Sequence, residues 1–224
     1  MTCEKVRRYG KLRVMRYKGA LKSFPRWGIG NMPQSSLEGR FLVAMPRMGD
    51  ARFENTVVFL CAHSDEGAMG FVVNRPLAEP SISDFMLKLG IVTESEKSIL
   101  LGNLEARSLH TGGPVEPGRG FVLHSPDFRT ESTIEVNAEV SLTATLEILR
   151  AIAMNKGPSR HVVALGYSGW SAGQLEEEIA SNGWLVAQSD SEIIFGGRNE
   201  TKYNRVMGAM GIDPALLSAD TGHA

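Results

Sequence analysis

Residues 41–77 read FLVAMPRMGDARFENTVVFLCAHSDEGAMGFVVNRPL, and the punctuation of this stretch decides the fold class. Two apolar runs, Phe41–Met45 and Thr56–Ala62, are separated by a polar connector holding Pro46, Gly49 and Asp50. A third run, Ala68–Val73, follows Gly67 and closes on Asn74-Arg75-Pro76. Short runs rich in β-branched and aromatic residues, bounded by Gly, Pro, Asn and Asp, predict three strands joined by turns.

Downstream, the pattern mixes both periods. Ser81 opens a short helix, with Asp84 placed to complete a capping box. Ile82, Phe85, Met86 and Leu89 share its buried face, and Gly90 stops it. Ser98–Leu101 reads as a strand and Gly102–Gly120 as a long connector. Phe121–His124 and Thr133–Val136 read as further strands. A helix is expected from Ser141 or Thr143, with Leu142, Leu146, Leu149 and Ile152 as its stripe, ending at Asn155-Lys156-Gly157-Pro158. His161–Leu165 is a buried strand, and Gly166–Trp170 turns the chain into a helix that Ser171 and Gln174 cap. Asn182-Gly183 ends that helix. Trp184–Ala187 and Glu192–Phe195 read as strands, and Tyr203, Val206, Met207 and Met210 as one side of a last helix. No period of about 20–50 residues recurs, so a solenoid is not expected. The residues alone indicate mixed α and β structure in one domain.

The 41–77 stretch, the Gly-Gly-Pro-Val within His110–Val115 and the segment GYSGWSAGQLEEEIASNGWLVA at 166–187 together resemble the bacterial AlgH/YqgE family, in order and spacing, from about Leu37 to His223. The resemblance implies an α+β domain whose mixed sheet curls into a partial barrel with helices packed around it. It carries the label of transcriptional regulator but supplies no catalytic residue to transfer. On this basis residues 1–36 are a basic arm and linker, and 37–224 the globular domain.

Composition narrows the class. The 224 residues are 42% hydrophobic and 22% charged, which suits one well-buried core. No apolar run reaches the roughly 18–20 residues that span a bilayer, and no apolar segment follows the charged N-terminus as in a secretory signal. Cys3 and Cys61 are placed too differently to suggest a disulfide, so a cytoplasmic location is expected. The net charge of −1 conceals an asymmetry. Residues 1–30 hold nine Lys or Arg against one acid, Glu4, a net +8, while the remainder holds 15 bases against 24 acids, a net −9. Such an arm can attract nucleic acid by phosphate neutralisation, weakly and without base reading; a solubilising tail, or an arm that lies on the acidic body, is the weightier reading.

Few residues carry chemistry. Gly166-Tyr167-Ser168-Gly169-Trp170 resembles a nucleophile elbow, but Trp170 stands where the elbow needs its last Gly. A tight corner plugged by Trp170 is the better reading, and in the related family Ser168 is often replaced by Ala. His63, His110 and His124 lack HxH, HExxH or CxxC spacing, so no metal and no cofactor is implied. Glu176-Glu177-Glu178 diverge by about 100° each on a helix and cannot converge on one ion. They read as a solvated acidic face. The expected ligand contacts are Asn74, Arg75, Gly112, Gly113, Arg119 and Gly166, through a Gly-rich loop able to cradle an anion. The expected partner-docking residues are Trp170, Gln174, Glu177 and Glu178. The leading functional reading is a non-enzymatic binding or regulatory module that acts through a protein partner. The alternative is a small-molecule or nucleotide-binding enzyme with its site near the Gly113 loop and the Gly166 corner.

Overall fold

A computed structural model describes residues 36–46, 48–96, 109–214 and 217. The basic arm, the expected strand Ser98–Leu101 and most of the segment after Asp213 lie outside the described residues.

The first three strands form as read: β1 (Arg40–Ala44), β2 (Val57–Ser64) and β3 (Gly67–Val72) pair in succession, antiparallel. Their side chains alternate between two packed layers. Phe41, Val43, Val57 and Phe59 face one core, and Leu42, Ala44, Val58 and Leu60 face another. Burial on both faces explains why these strands are continuously apolar rather than alternating with polar residues.

Helix α1 (Ile82–Lys88) starts where expected. The Ser81 hydroxyl accepts the Asp84 N–H at 3.1 Å. Next come β4 (Leu109–Thr111), β5 (Val115–His124), β6 (Ile134–Glu135), β7 (Ser141–Thr143) and α2 (Leu146–Ala153). They are followed by β8 (His161–Ser171), α3 (Gln174–Ala180), β9 (Trp184–Gln188), α4 (Ser191–Phe195) and α5 (Asn199–Ala209). The described strands form one sheet in the order β6-β7-β5-β8-β3-β2-β1-β9, with β4 also pairing with β8. All pairs are antiparallel except β4 with β8, so the sheet is mixed. It curls into a half-barrel with helices packed around it, an α+β fold in a single domain. Helix α5 packs Tyr203, Val206 and Met207 on one layer, α1 and α2 cover β5 and β8, and Leu175 of α3 closes the third.

Four local expectations are corrected, each by long-range pairing or capping. The connector expected over Gly102–Gly120 contains β4 and the first half of β5, because β8 offers both its edges to them. Ser141–Thr143 begins no helix. It pairs with β5 as β7, Leu142 is core, and the helix starts at Leu146, which is 37% exposed. Gly166–Trp170 is not a corner. Gly166 takes a left-handed φ of 70° inside β8 without ending it; Tyr167 still pairs with Val115 of β5, and the strand continues alongside β3 from Ser168 to Ser171. Glu192–Phe195 is helical, because Asp190 accepts the Glu192 N–H at 2.7 Å and caps it. The box between Ser171 and Gln174 forms in half. The side-chain Oε1 of Gln174 receives the Ser171 N–H at 3.1 Å, while Gly173 is the N-cap.

Candidate functional site

Where β3 runs out, Asn74 straps it to the start of β2. Its side-chain Oδ1 accepts the Val57 N–H at 2.9 Å and its Nδ2 donates to the Asn55 backbone carbonyl at 2.8 Å. Arg75 spreads its guanidinium over the same connector, donating to the Arg52 and Glu54 carbonyls at 2.6 Å each. Helix α5 forms the facing wall. Asn199, Glu200, Tyr203 and Asn204 fall at i, i+1, i+4 and i+5 and so share one side. The Tyr203 hydroxyl donates to the Ala44 carbonyl at 2.8 Å, and the Asn199 Oδ1 lies 3.1 Å from the buried His110 Nε2. With Pro46, Glu54, Asn55 and Pro214 these residues line an open cleft of about 910 Å³.

The cleft presents amides, two exposed carboxylates (Glu54 and Glu200) and a guanidinium already committed to carbonyls. Asn74, Arg75, Asn199 and Tyr203 are each held by bonds to the scaffold, so little rotamer freedom remains to be lost on binding. Behind this wall, Lys202 is 1% exposed and donates to the Val73 and Ile194 carbonyls at 2.9 Å each. Burial, with the nearby Arg205 adding, brings its pKa down to about 8.

The other expected ligand contacts lie apart from this cleft. Gly112, Gly113 and Gly166 form a junction of close backbones. A Cβ on Gly112 would stand 2.2 Å from the Gly166 carbonyl, and one on Gly113 2.2 Å from the Tyr167 carbonyl carbon. The Gly112 N–H is given to the Leu165 carbonyl and its own carbonyl receives the Val72 N–H, both at 2.8 Å. Arg119 pairs with Glu116 at 3.0 Å and lies over the Phe121 ring.

Among the expected docking residues, Trp170 is buried, and Gln174 and Glu177 are exposed. Glu178 is half-buried. One oxygen of its carboxylate accepts the indole N–H of Trp170 at 2.8 Å and of Trp184 at 2.7 Å, while the other receives Gln174 at 2.9 Å. The two indoles meet edge to face at 5.8 Å. The acidic triplet thus divides. Glu177 faces solvent, Glu176 bonds His63 Nε2 at 2.6 Å, and Glu178 neutralises two buried donors. Nothing local in the sequence marks this clamp, because Trp170 and Trp184 lie on different strands.

The remaining reactive groups are interior. Ser168 is fully buried and donates to the Gly112 carbonyl at 3.3 Å. His63 accepts the Leu37 N–H on Nδ1, which leaves Nε2 to donate to Glu176. His124 bonds the Ser125 carbonyl through Nδ1 and Thr143 through Nε2, and burial lowers its pKa. Burial, with Glu38 nearby, pushes the Cys61 thiol well up, so it is a poor nucleophile. Among the described residues no three His, Cys, Asp or Glu are grouped to hold a metal ion, and no helix is long and apolar enough to cross a membrane.

Comparison with known proteins places this architecture. The AlgH-like family profile matches residues 41–215. A UPF0301 protein of Bradyrhizobium diazoefficiens is 51% identical over 199 residues, covering 87% of this chain and 93% of the relative. A UPF0301 protein of Rhizobium etli is 49% identical over 187 residues, covering 84% and 92%. The solution structure of the AlgH protein from Pseudomonas aeruginosa superposes with a TM-score of 0.68 at 36% identity, covering 86% of this chain and all of that one. A crystal structure from Corynebacterium diphtheriae, 18% identical, shares the fold with a TM-score of 0.63, covering 84% of this chain and 95% of that one.

Proposed function

This chain belongs to the AlgH-like family, and from that premise and the geometry of the cleft we propose that it is a non-enzymatic binding module that acts on regulation through a protein partner. The observation that carries the reading is the state of the cleft walls. Asn74, Arg75, Asn199 and Tyr203 are fixed before any partner arrives, and their bonds hold backbone or neighbouring side chains rather than poise a reacting group. A rigid, amide-lined cleft with Glu54 and Glu200 exposed on it suits a polar peptide segment carrying a basic residue. A regulatory role of the kind the family resemblance implies then runs through the bound protein, without direct reading of DNA. The enzymatic alternative around Gly113 and Gly166 is disfavoured because the Gly112 amide is already bonded and Pro114 offers none.

Asn204 gives the test, being exposed, on the cleft wall and outside the scaffold bonds described above. Affinity capture with the wild type and Asn204→Trp should retain a protein on the former and lose it on the latter. Titration of the purified pair should then reproduce the loss. Equal capture and equal affinity would remove the cleft as the docking site. Turnover of a small molecule that Asn204→Trp abolishes would favour the enzymatic alternative.

A further inference from the structure

The two edges of the sheet are built differently. At one end β6 is two residues long, carries Glu135 bonded to Arg129, and so presents a short, charged edge. At the other end β9, Trp184-Leu185-Val186-Ala187-Gln188, is five residues long and bears no charge. Long neutral edges invite another strand, and short or charged ones deter it.

The register fixes which groups β9 leaves open. Arg40↔Gln188 through Ala44↔Trp184 pair antiparallel without a shift, and the Met45 N–H donates to the Gly183 carbonyl at 3.0 Å. Hydrogen-bonded pairs alternate along an antiparallel ladder, so Gly183, Leu185 and Ala187 direct their backbone groups to β1. Trp184, Val186 and Gln188 direct theirs outward. Among the described residues none of these three N–H and three C=O groups has a backbone partner. Side chains on both faces of β9 are meanwhile committed to the core. Trp184 and Val186 pack in one layer, and Leu185 and Ala187 in the other. Among the described residues the strand is thus packed on both faces and unpaired along its outer edge.

We propose that this edge pairs with the β9 of a second copy of the chain, antiparallel about a two-fold axis through Val186. The parity is self-complementary. With Val186 opposite Val186 of the second copy, Trp184 meets Gln188, and all three outward donors and all three outward acceptors of each strand find partners. The axis sets β-branched side chains against each other, and no like charges meet along the strand. Two-fold homodimers with such isologous contacts are the commonest oligomers. A strand of this length spans about 17 Å, and a single strand pair buries less than the roughly 1,200 Å² of a standard stable interface. The dimer is accordingly weak and reversible. It does not depend on the cleft.

Sedimentation of the full chain, from about 10 μM to about 1 mM to cover weak association, tests the pairing together with amide exchange. The wild type should shift toward dimer as concentration rises, and the amides of Trp184, Val186 and Gln188 should become protected in step. Val186→Pro removes an outward N–H and leaves every β1 bond in place, so it should fold and associate at least about tenfold more weakly. A wild type that stays monomeric throughout would overturn the proposal. So would association unchanged by Val186→Pro, or exchange at those three amides that is independent of concentration. The exchange measurement uses unmodified protein and decides the matter even where the proline variant does not fold. Protection of those amides only on adding a different protein would equally refute the self-pairing.

Discussion

Lys202 makes stability depend on pH in a direction opposite to that of most buried acids. Its amine donates to two carbonyls, Val73 and Ile194, and among the described residues no carboxylate bonds it. A neutral amine has two N–H groups, enough for both carbonyls. The third proton of the charged form adds a desolvated charge without adding a bond. The folded-state pKa is about 8 against an ordinary 10.5. Between those values the unfolded chain holds the proton and the folded chain does not. The unfolded state therefore binds more protons, and stability rises with pH across this window and is flat below it. At about 1.4 kcal/mol per pH unit the full rise is about 3 kcal/mol. Lys202→Met removes that dependence but orphans two carbonyls, at about 1–3 kcal/mol each. The variant should be near parity with the wild type at pH 7 and less stable by several kcal/mol at pH 10. Denaturant midpoints of both proteins across pH 7–10.5 give the difference directly. Taking the difference cancels Cys61 and Tyr203, whose raised pKa values erode stability at high pH in both proteins. A wild-type-minus-variant difference that does not change with pH would refute the reasoning.

Glu178→Ala should cost about 2–4 kcal/mol, because it strands the indole N–H groups of both Trp170 and Trp184; an unchanged denaturation midpoint would mean that water satisfies both. Gly166→Ala should lose more than about 2 kcal/mol, since its Cβ would stand 2.6 Å from the Gly113 carbonyl on a left-handed backbone. Soluble alanine variant with a wild-type melt would contradict this. Deleting residues 1–34 should shift the melting point by less than about 5 °C and abolish a weak, salt-sensitive, sequence-independent affinity for nucleic acid. Sequence-discriminating binding by the truncated chain would instead make the core a DNA reader.

The sequence by itself determined the opening strands, the Ser81 cap, the helix ending at Asn155 and the mixed α and β class. Each rests on contacts between residues close in the chain, where period and capping chemistry are decisive. Family membership was likewise legible in three motifs. Tertiary structure decided most of the rest, where the deciding partner lay on another element; only the Asp190 cap that makes Glu192–Phe195 helical is local. Ser141–Thr143 is a strand only because β5 lies beside it, and β8 runs on past Gly166 only because β5 and β3 continue the pairing. Asn74 and Arg75 were visible as candidates, but Asn199, Tyr203 and Asn204 join them across the cleft from more than 120 residues along the chain. Lys202 likewise reaches Val73 across most of the chain, whereas Glu178 lies within eight residues of Trp170 and Trp184 and meets both only because β8 and β9 are placed by their pairing with β3 and β1. A carboxylate between two indoles and an amine between two carbonyls arise from elements that meet only on folding, and burial gives each group a role its residue type does not announce.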